Sequence, residues 1–158
     1  MAWSDDVFLT FANRWVHVLA MVFILGGSAF LSGLALRRKC AAGSEFDRVL
    51  VLAAKGYEKV FWLALGLLIL TGMGNAGAFA GHLPDRLTIW GQRFVTKLFV
   101  VLLLMMASLF RTSFIGSLAT NQDMNLSPAA RRGVLVSYVG TSLFVAIIFT
   151  LALRLAHG

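Results

Sequence analysis

Apolar residues fall into four long runs along the chain, separated by short polar segments. The runs cover about 15–36, 60–80, 89–110 and 133–153. A helix needs about 20 predominantly apolar residues to cross the hydrocarbon core of a membrane, so each run is long enough to cross once. The pattern predicts an all-α integral membrane protein, a four-helix bundle forming a single four-span transmembrane domain in contact with the lipid bilayer.

The segments beside the runs predict where the helices begin and end. Residues 40–58 mix polar and apolar side chains, which predicts an amphipathic extension of the second helix. Ser127 and Pro128 are suited to the N-cap and the first position of the fourth helix. Glycines crowd the segment 74–81, so we expect the second helix to unwind at that end.

Composition supports the membrane assignment. Of the 158 residues, 59% are hydrophobic and 13% are charged, whereas a soluble domain is about half apolar and about a quarter charged. Because four spans and their connections take up this length, we expect no further domain, and a single cysteine excludes an intrachain disulfide framework. Disorder is excluded because it requires low hydrophobicity.

The formal net charge of +7 is distributed unevenly. Nine of the 14 Lys and Arg residues lie between the first and second runs or between the third and fourth. Because positive loops stay in the cytoplasm, this bias predicts both termini on the outer, periplasmic side of a bacterial inner membrane. The basic residues interrupt hydrophobic runs and form no stripe with stacking aromatics, so we expect no nucleic-acid binding.

The histidines are the most informative candidate functional residues. His17, His82 and His157 are all predicted to lie toward the outer side. His17 is the only one inside a run, and an ionisable residue within a span is a candidate functional residue because burying it in lipid is costly. The alternative is a neutral structural imidazole that hydrogen-bonds to a neighbouring helix.

Two methionines suggest copper as one candidate ligand. Met21 lies one turn deeper than His17 on the same face, and Met73 lies in the outer part of the second run. An imidazole together with thioethers suits Cu(I). The candidate metal ligands are therefore His17, Met21, Met73, His82 and His157.

A haem b is the second candidate. His17 would be an axial ligand of the iron. Arg93 and Lys97 lie one turn apart on one face of the third helix, and together with Arg14 they would pair with the propionates. The small residues near these positions would leave room for the macrocycle.

Other chemistries are less well supported. No run contains an acidic residue, so we expect no carboxylate proton relay. No serine is arranged with a histidine and an acid, and phosphate-loop, CxxC and HExxH motifs are absent, so the sequence does not favour an enzyme with these chemistries. A third hypothesis is an accessory structural subunit of a larger membrane complex, with glycine-rich packing surfaces and no chemistry of its own.

Three segments carry a family resemblance. Trp15-Val16-His17-Val18-Leu19 leads to Gly26 and Gly27, residues 70–73 read Leu-Thr-Gly-Met, and residues 90–97 read Trp-Gly-Gln-Arg-Phe-Val-Thr-Lys. In this order they resemble the membrane domain of copper-resistance protein D (CopD). A histidine in helix one and a lysine in helix three are also similar to the four-helix HemJ protoporphyrinogen oxidases.

The resemblance implies two functions. One is copper handling at the outer face of a bacterial inner membrane, with a periplasmic copper protein as a partner. The other is haem or porphyrin chemistry in the same bundle. In both cases it implies that His17 is the metal or haem ligand and that Lys97 is the matching lysine of helix three.

Overall fold

The computed structural model describes residues 5–37, 44–79, 88–120 and 126–156. Within this part of the chain there are four α-helices: α1 Asp5–Leu36, α2 Ser44–Phe79, α3 Ile89–Ala119 and α4 Pro128–Ala156. All four are long and apolar enough to cross a membrane. The predicted all-α architecture, with four helices able to span a membrane, is therefore confirmed for the described residues.

The helices are longer than the apolar runs that predicted them. They contain 32, 36, 31 and 29 residues, and a rise of 1.5 Å per residue makes α2 about 54 Å long. The hydrocarbon core of a bilayer is only about 30 Å thick, so parts of the helices extend beyond it. The predicted extension of helix two is confirmed as helix from Ser44 onward.

The predicted unwinding of helix two is wrong for residues 74–79, which remain helical to Phe79. A helix satisfies its own backbone groups in lipid, and a glycine costs only about 1 kcal/mol relative to alanine in a helix. Residues 80 and 81, the rest of that segment, lie outside the described residues.

Side chains cap two of the helices. Thr88 caps α3 by accepting a hydrogen bond from the Gly91 amide at 3.0 Å. Ser127 accepts one from the Ala130 amide at 3.1 Å, and Pro128 opens α4. The predicted start of the fourth helix is therefore confirmed.

The helices alternate in direction and pack in a ring. α1 and α3 each pack against α2 and α4, so α1 lies diagonally opposite α3 and α2 diagonally opposite α4. We call the end where α1 and α3 begin and α2 and α4 end the terminal end of the bundle. The other is the loop end.

The bundle has an apolar surface and a partly polar interior. Large apolar side chains point outward, including Leu63 and Phe110, which are 67% and 74% exposed. Buried polar residues include Ser28, Glu58 and Arg111. This distribution suits a lipid surround, because polar groups in a membrane protein face the bundle interior.

Candidate cofactor site

His17 lies in the terminal half of α1, half-buried against α2. Its Nδ1 is 2.8 Å from the hydroxyl oxygen of Thr71, a buried residue of α2. One turn nearer the terminal end, the Asn13 side-chain amide donates to the Thr71 carbonyl at 3.1 Å. Two polar residues on one face of α1 therefore hold a single residue of α2.

The imidazole also lies close to the backbone of α2. A Cβ atom built at Gly72 would be 3.5 Å from Cε1 of His17. A methyl group at Gly72 would therefore make an ordinary van der Waals contact with the imidazole ring. Close approaches of this kind are typical of small residues at helix interfaces in membranes.

Lys97 reaches the same region from α3, the helix diagonally opposite α1. It is half-buried and within electrostatic range of His17. Among the described residues, Lys97 has no hydrogen-bond or ion-pair partner. His17 and Lys97 thus lie in the same half of the bundle, and the Lys97 ammonium has no counter-ion in the described part of the chain.

Arg93 lies one turn nearer the terminal end than Lys97 and is half-buried. Its Nη1 donates to the carbonyl of Arg154 at 3.0 Å, near the last turn of α4. The last carbonyls of a helix lack partners within the helix, and a cation there is favourable. Arg93 therefore ties α3 to α4 through one of its five N–H donors.

The structure does not bring all the predicted copper ligands together. Met21 is half-buried and packs against the core. Met73 follows Thr71 by two positions and is 69% exposed, so the structure does not bring it to His17. His82 and His157 lie outside the described residues. Within the described ranges no three His, Cys, Asp or Glu side chains are grouped to hold a metal.

A buried ion pair toward the loop end was not predicted. Arg111 on α3 donates from Nε to Oε1 of Glu58 on α2 at 2.7 Å, and from Nη2 to Oε2 at 3.2 Å. The two side chains are only 2% and 6% exposed. A bidentate pair of this kind is among the strongest polar contacts that a protein makes.

The pair is surrounded by further donors and aromatic rings. Tyr138 donates to Oε1 of Glu58 at 2.9 Å, Thr112 donates to Oε2, and Arg111 donates to Thr141. The guanidinium carbon lies 4.3 Å from the ring centroid of Phe61 and 5.2 Å from that of Tyr138. This Glu58–Arg111 network joins α2, α3 and α4.

The network corrects the expectation that no membrane helix contains an acid. Glu58 lies within the candidate span Glu45–Met73 of α2, because the helix begins well before its apolar run. Arg111, predicted in a loop, lies in α3. The positions of the two charges in the sequence could have indicated this pair. Glu58 precedes the second apolar run and Arg111 follows the third, so two antiparallel helices place them at the same end of the bundle.

A second ion pair lies nearer the loop end. Arg131 on α4 pairs with Asp47 on α2, and the Leu126 amide donates to the same carboxylate at 3.1 Å. Asp47 thereby holds both the start of α4 and the residue before its cap. Ion pairs join the helices toward the loop end, whereas at the terminal end Lys97 has no ion-pair partner among the described residues.

No protein-family model, curated protein or solved structure matches the chain. The function is therefore inferred from the residues of the site.

Proposed function

We propose that this is a multi-pass protein of the bacterial inner membrane that binds a haem b through His17. The observation that carries the proposal is that His17 and Lys97 lie in the same half of the bundle, within electrostatic range of each other, and that Lys97 has no ion-pair partner among the described residues. Haem iron accepts an imidazole ligand, and the haem propionates seek cations. Helices α1 and α3 supply both groups from opposite corners of the bundle.

Each side chain of the site has a distinct role in this proposal. His17 contributes the nitrogen that ligates the iron, and Lys97 pairs with a propionate. The N–H donors of Arg93 that do not bind the Arg154 carbonyl are available to the second propionate. The bound haem would supply redox chemistry, and the resemblance to HemJ supports a porphyrin or haem substrate.

We place the terminal end of the bundle, with both chain termini, at the periplasmic face. The support is the charge distribution: nine of the 14 Lys and Arg residues lie in the segments predicted to be cytoplasmic. Positive loops are retained in the cytoplasm. The haem site would then open toward the periplasmic side.

Copper is the second candidate, held by His17 and Met21. The favouring observation is that Met21 is half-buried one turn deeper than His17 on α1, and the resemblance to CopD supports it. Lys97 counts against it, because an ammonium repels a bare cation but attracts the carboxylates of a haem. The exposure of Met73 removes one thioether from the expected ligand set.

Absorption spectra and metal analysis of the protein purified in mild detergent test the two candidates together. The haem proposal predicts a Soret band and stoichiometric iron, both lost in His17→Ala. Copper binding predicts copper without a Soret band, lost in Met21→Leu but retained in Met106→Leu, a change at an exposed methionine of α3.

A protein free of both iron and copper that co-purifies with a large membrane complex contradicts both candidates. That outcome supports the accessory-subunit hypothesis.

A further inference from the structure

Thr71 makes two short contacts through one hydroxyl oxygen. Its Oγ1 lies 2.6 Å from the carbonyl oxygen of Leu67, one turn earlier in α2, and 2.8 Å from Nδ1 of His17. A hydroxyl has one proton to donate and can accept hydrogen bonds through its lone pairs. The direction of both hydrogen bonds can therefore be worked out.

The Leu67 carbonyl can only accept. If Thr71 gave its proton to His17, two oxygen atoms would face each other at 2.6 Å with no hydrogen between them. The proton therefore goes to Leu67, and Oγ1 accepts from His17. The donor in the second bond must then be Nδ1–H of the imidazole.

From this geometry we infer that Thr71 is a positioning residue that fixes His17 as the Nδ1–H tautomer, with the lone pair on Nε2. As a statement about ligand binding the inference rests on the proposed function, because it identifies Nε2 as the atom that ligates the metal or haem iron. A ligating histidine commonly donates its other ring N–H to a neighbouring acceptor, which sets its tautomer and orientation.

Asn13 reinforces the arrangement. It donates to the Thr71 carbonyl at 3.1 Å from the turn of α1 that precedes His17. Asn13 thus holds the backbone carbonyl of Thr71, while the Thr71 hydroxyl accepts from His17, one turn further along the same face of α1. The hydroxyl cannot turn away from the imidazole without losing its bond to Leu67.

The direct test is nitrogen NMR of cofactor-free protein labelled with 15N-histidine. A His82→Gln, His157→Gln background leaves His17 as the only histidine signal. The expected spectrum shows a protonated Nδ1 and an unprotonated Nε2. Thr71→Val removes the hydroxyl acceptor and should raise the share of the Nε2–H tautomer, whereas Thr71→Ser should preserve the native spectrum.

Thr150→Val is the matched control. Thr150 bonds the carbonyl of Ala146 at 2.9 Å in the same one-turn geometry, but on the exposed side of α4. A protonated Nε2 in the protein that retains Thr71 would overturn the inference, even if neither Thr71 variant folded. An unchanged tautomer in folded Thr71→Val would also overturn it.

Cofactor binding is a separate readout. Loss of a hydrogen-bond partner behind a ligating histidine typically weakens metal affinity by about 10- to 100-fold, and we expect this for Thr71→Val but not for Thr71→Ser. Equal affinity of Thr71→Val and the native protein for an added haem would contradict the positioning role. The predicted tautomer in a protein that binds neither haem nor copper would instead overturn the proposed function and leave the tautomer assignment intact.

Discussion

Glu58 and Arg111 carry opposite charges in the bundle interior at a point where neither reaches water. The carboxylate accepts from two guanidinium nitrogens, from Tyr138 and from Thr112. These four donors match the acceptor capacity of an ionised carboxylate. The carboxylate is therefore saturated by donors from the described residues, and the network joins α2, α3 and α4.

We expect Glu58→Met or Arg111→Met to lower the free energy of unfolding by about 3–5 kcal/mol, because each leaves an unpaired buried charge. The double variant should be less destabilised than the sum of the two, since it leaves no orphan charge. Thermal unfolding in mild detergent measures the effect. Lys55→Gln, at an exposed position of the same helix, is the control, and strictly additive losses would contradict a coupled pair.

Individual residues of the site differ in how well the sequence could predict them. His17 and Lys97 could be identified because each is ionisable and lies within an apolar run. Thr71 could not, because hydroxyl residues are common in membrane helices and its role depends on which helix faces it. The pairing of Glu58 with Arg111 likewise depends on the rotation and register of two helices, which local patterning does not specify.

At the contact between α1 and α2, Gly27 lies against the ring of Tyr57. A Cβ added there would fall 2.7 Å from Cδ2 of Tyr57. The Tyr57 ring is held in place, because its hydroxyl donates to the Ile24 carbonyl at 2.8 Å and the ring packs edge-on against Tyr138. The glycine is therefore required by the contact between the helices.

Gly27→Ala should lower the free energy of unfolding by about 1–3 kcal/mol, the usual range for overpacking a close contact. Gly26→Ala is the matched control: among the described residues no atom lies within 4 Å of the added Cβ. We expect that variant to be neutral or slightly stabilised, since alanine favours helix over glycine. Equal melting temperatures for the two variants would refute the assigned contact.

Helix number and approximate position followed from apolar run length, whereas helix ends did not. α3 continues nine residues beyond its apolar run to Ala119, through Arg111 and Thr112. These residues belong to the helix because their side chains bond across the bundle. A hydropathy pattern indicates which residues prefer lipid, but it does not indicate polar contacts inside the bundle. Such contacts involve the residues by which α2 and α3 extend beyond their apolar runs.

At the scale of the whole molecule, the bundle has two unlike ends. Toward the loop end, ion pairs made within the chain join α2 to α3 and α4. At the terminal end His17 is fixed by Thr71, while Lys97 has no partner among the described residues. An unpaired cation in a membrane interior is costly, and an anionic ligand would offset that cost. This asymmetry places the proposed binding site at the terminal end.

Titration of cofactor-free protein with haem b, followed by Soret absorbance in mild detergent, tests the central claim most directly. The account predicts saturation at equimolar haem for the native protein and no saturable binding for His17→Ala. Lys97→Gln should weaken binding, whereas Lys55→Gln, at an exposed position of α2, should not. Saturable binding by His17→Ala with the native affinity would contradict the assignment of His17 as the ligand.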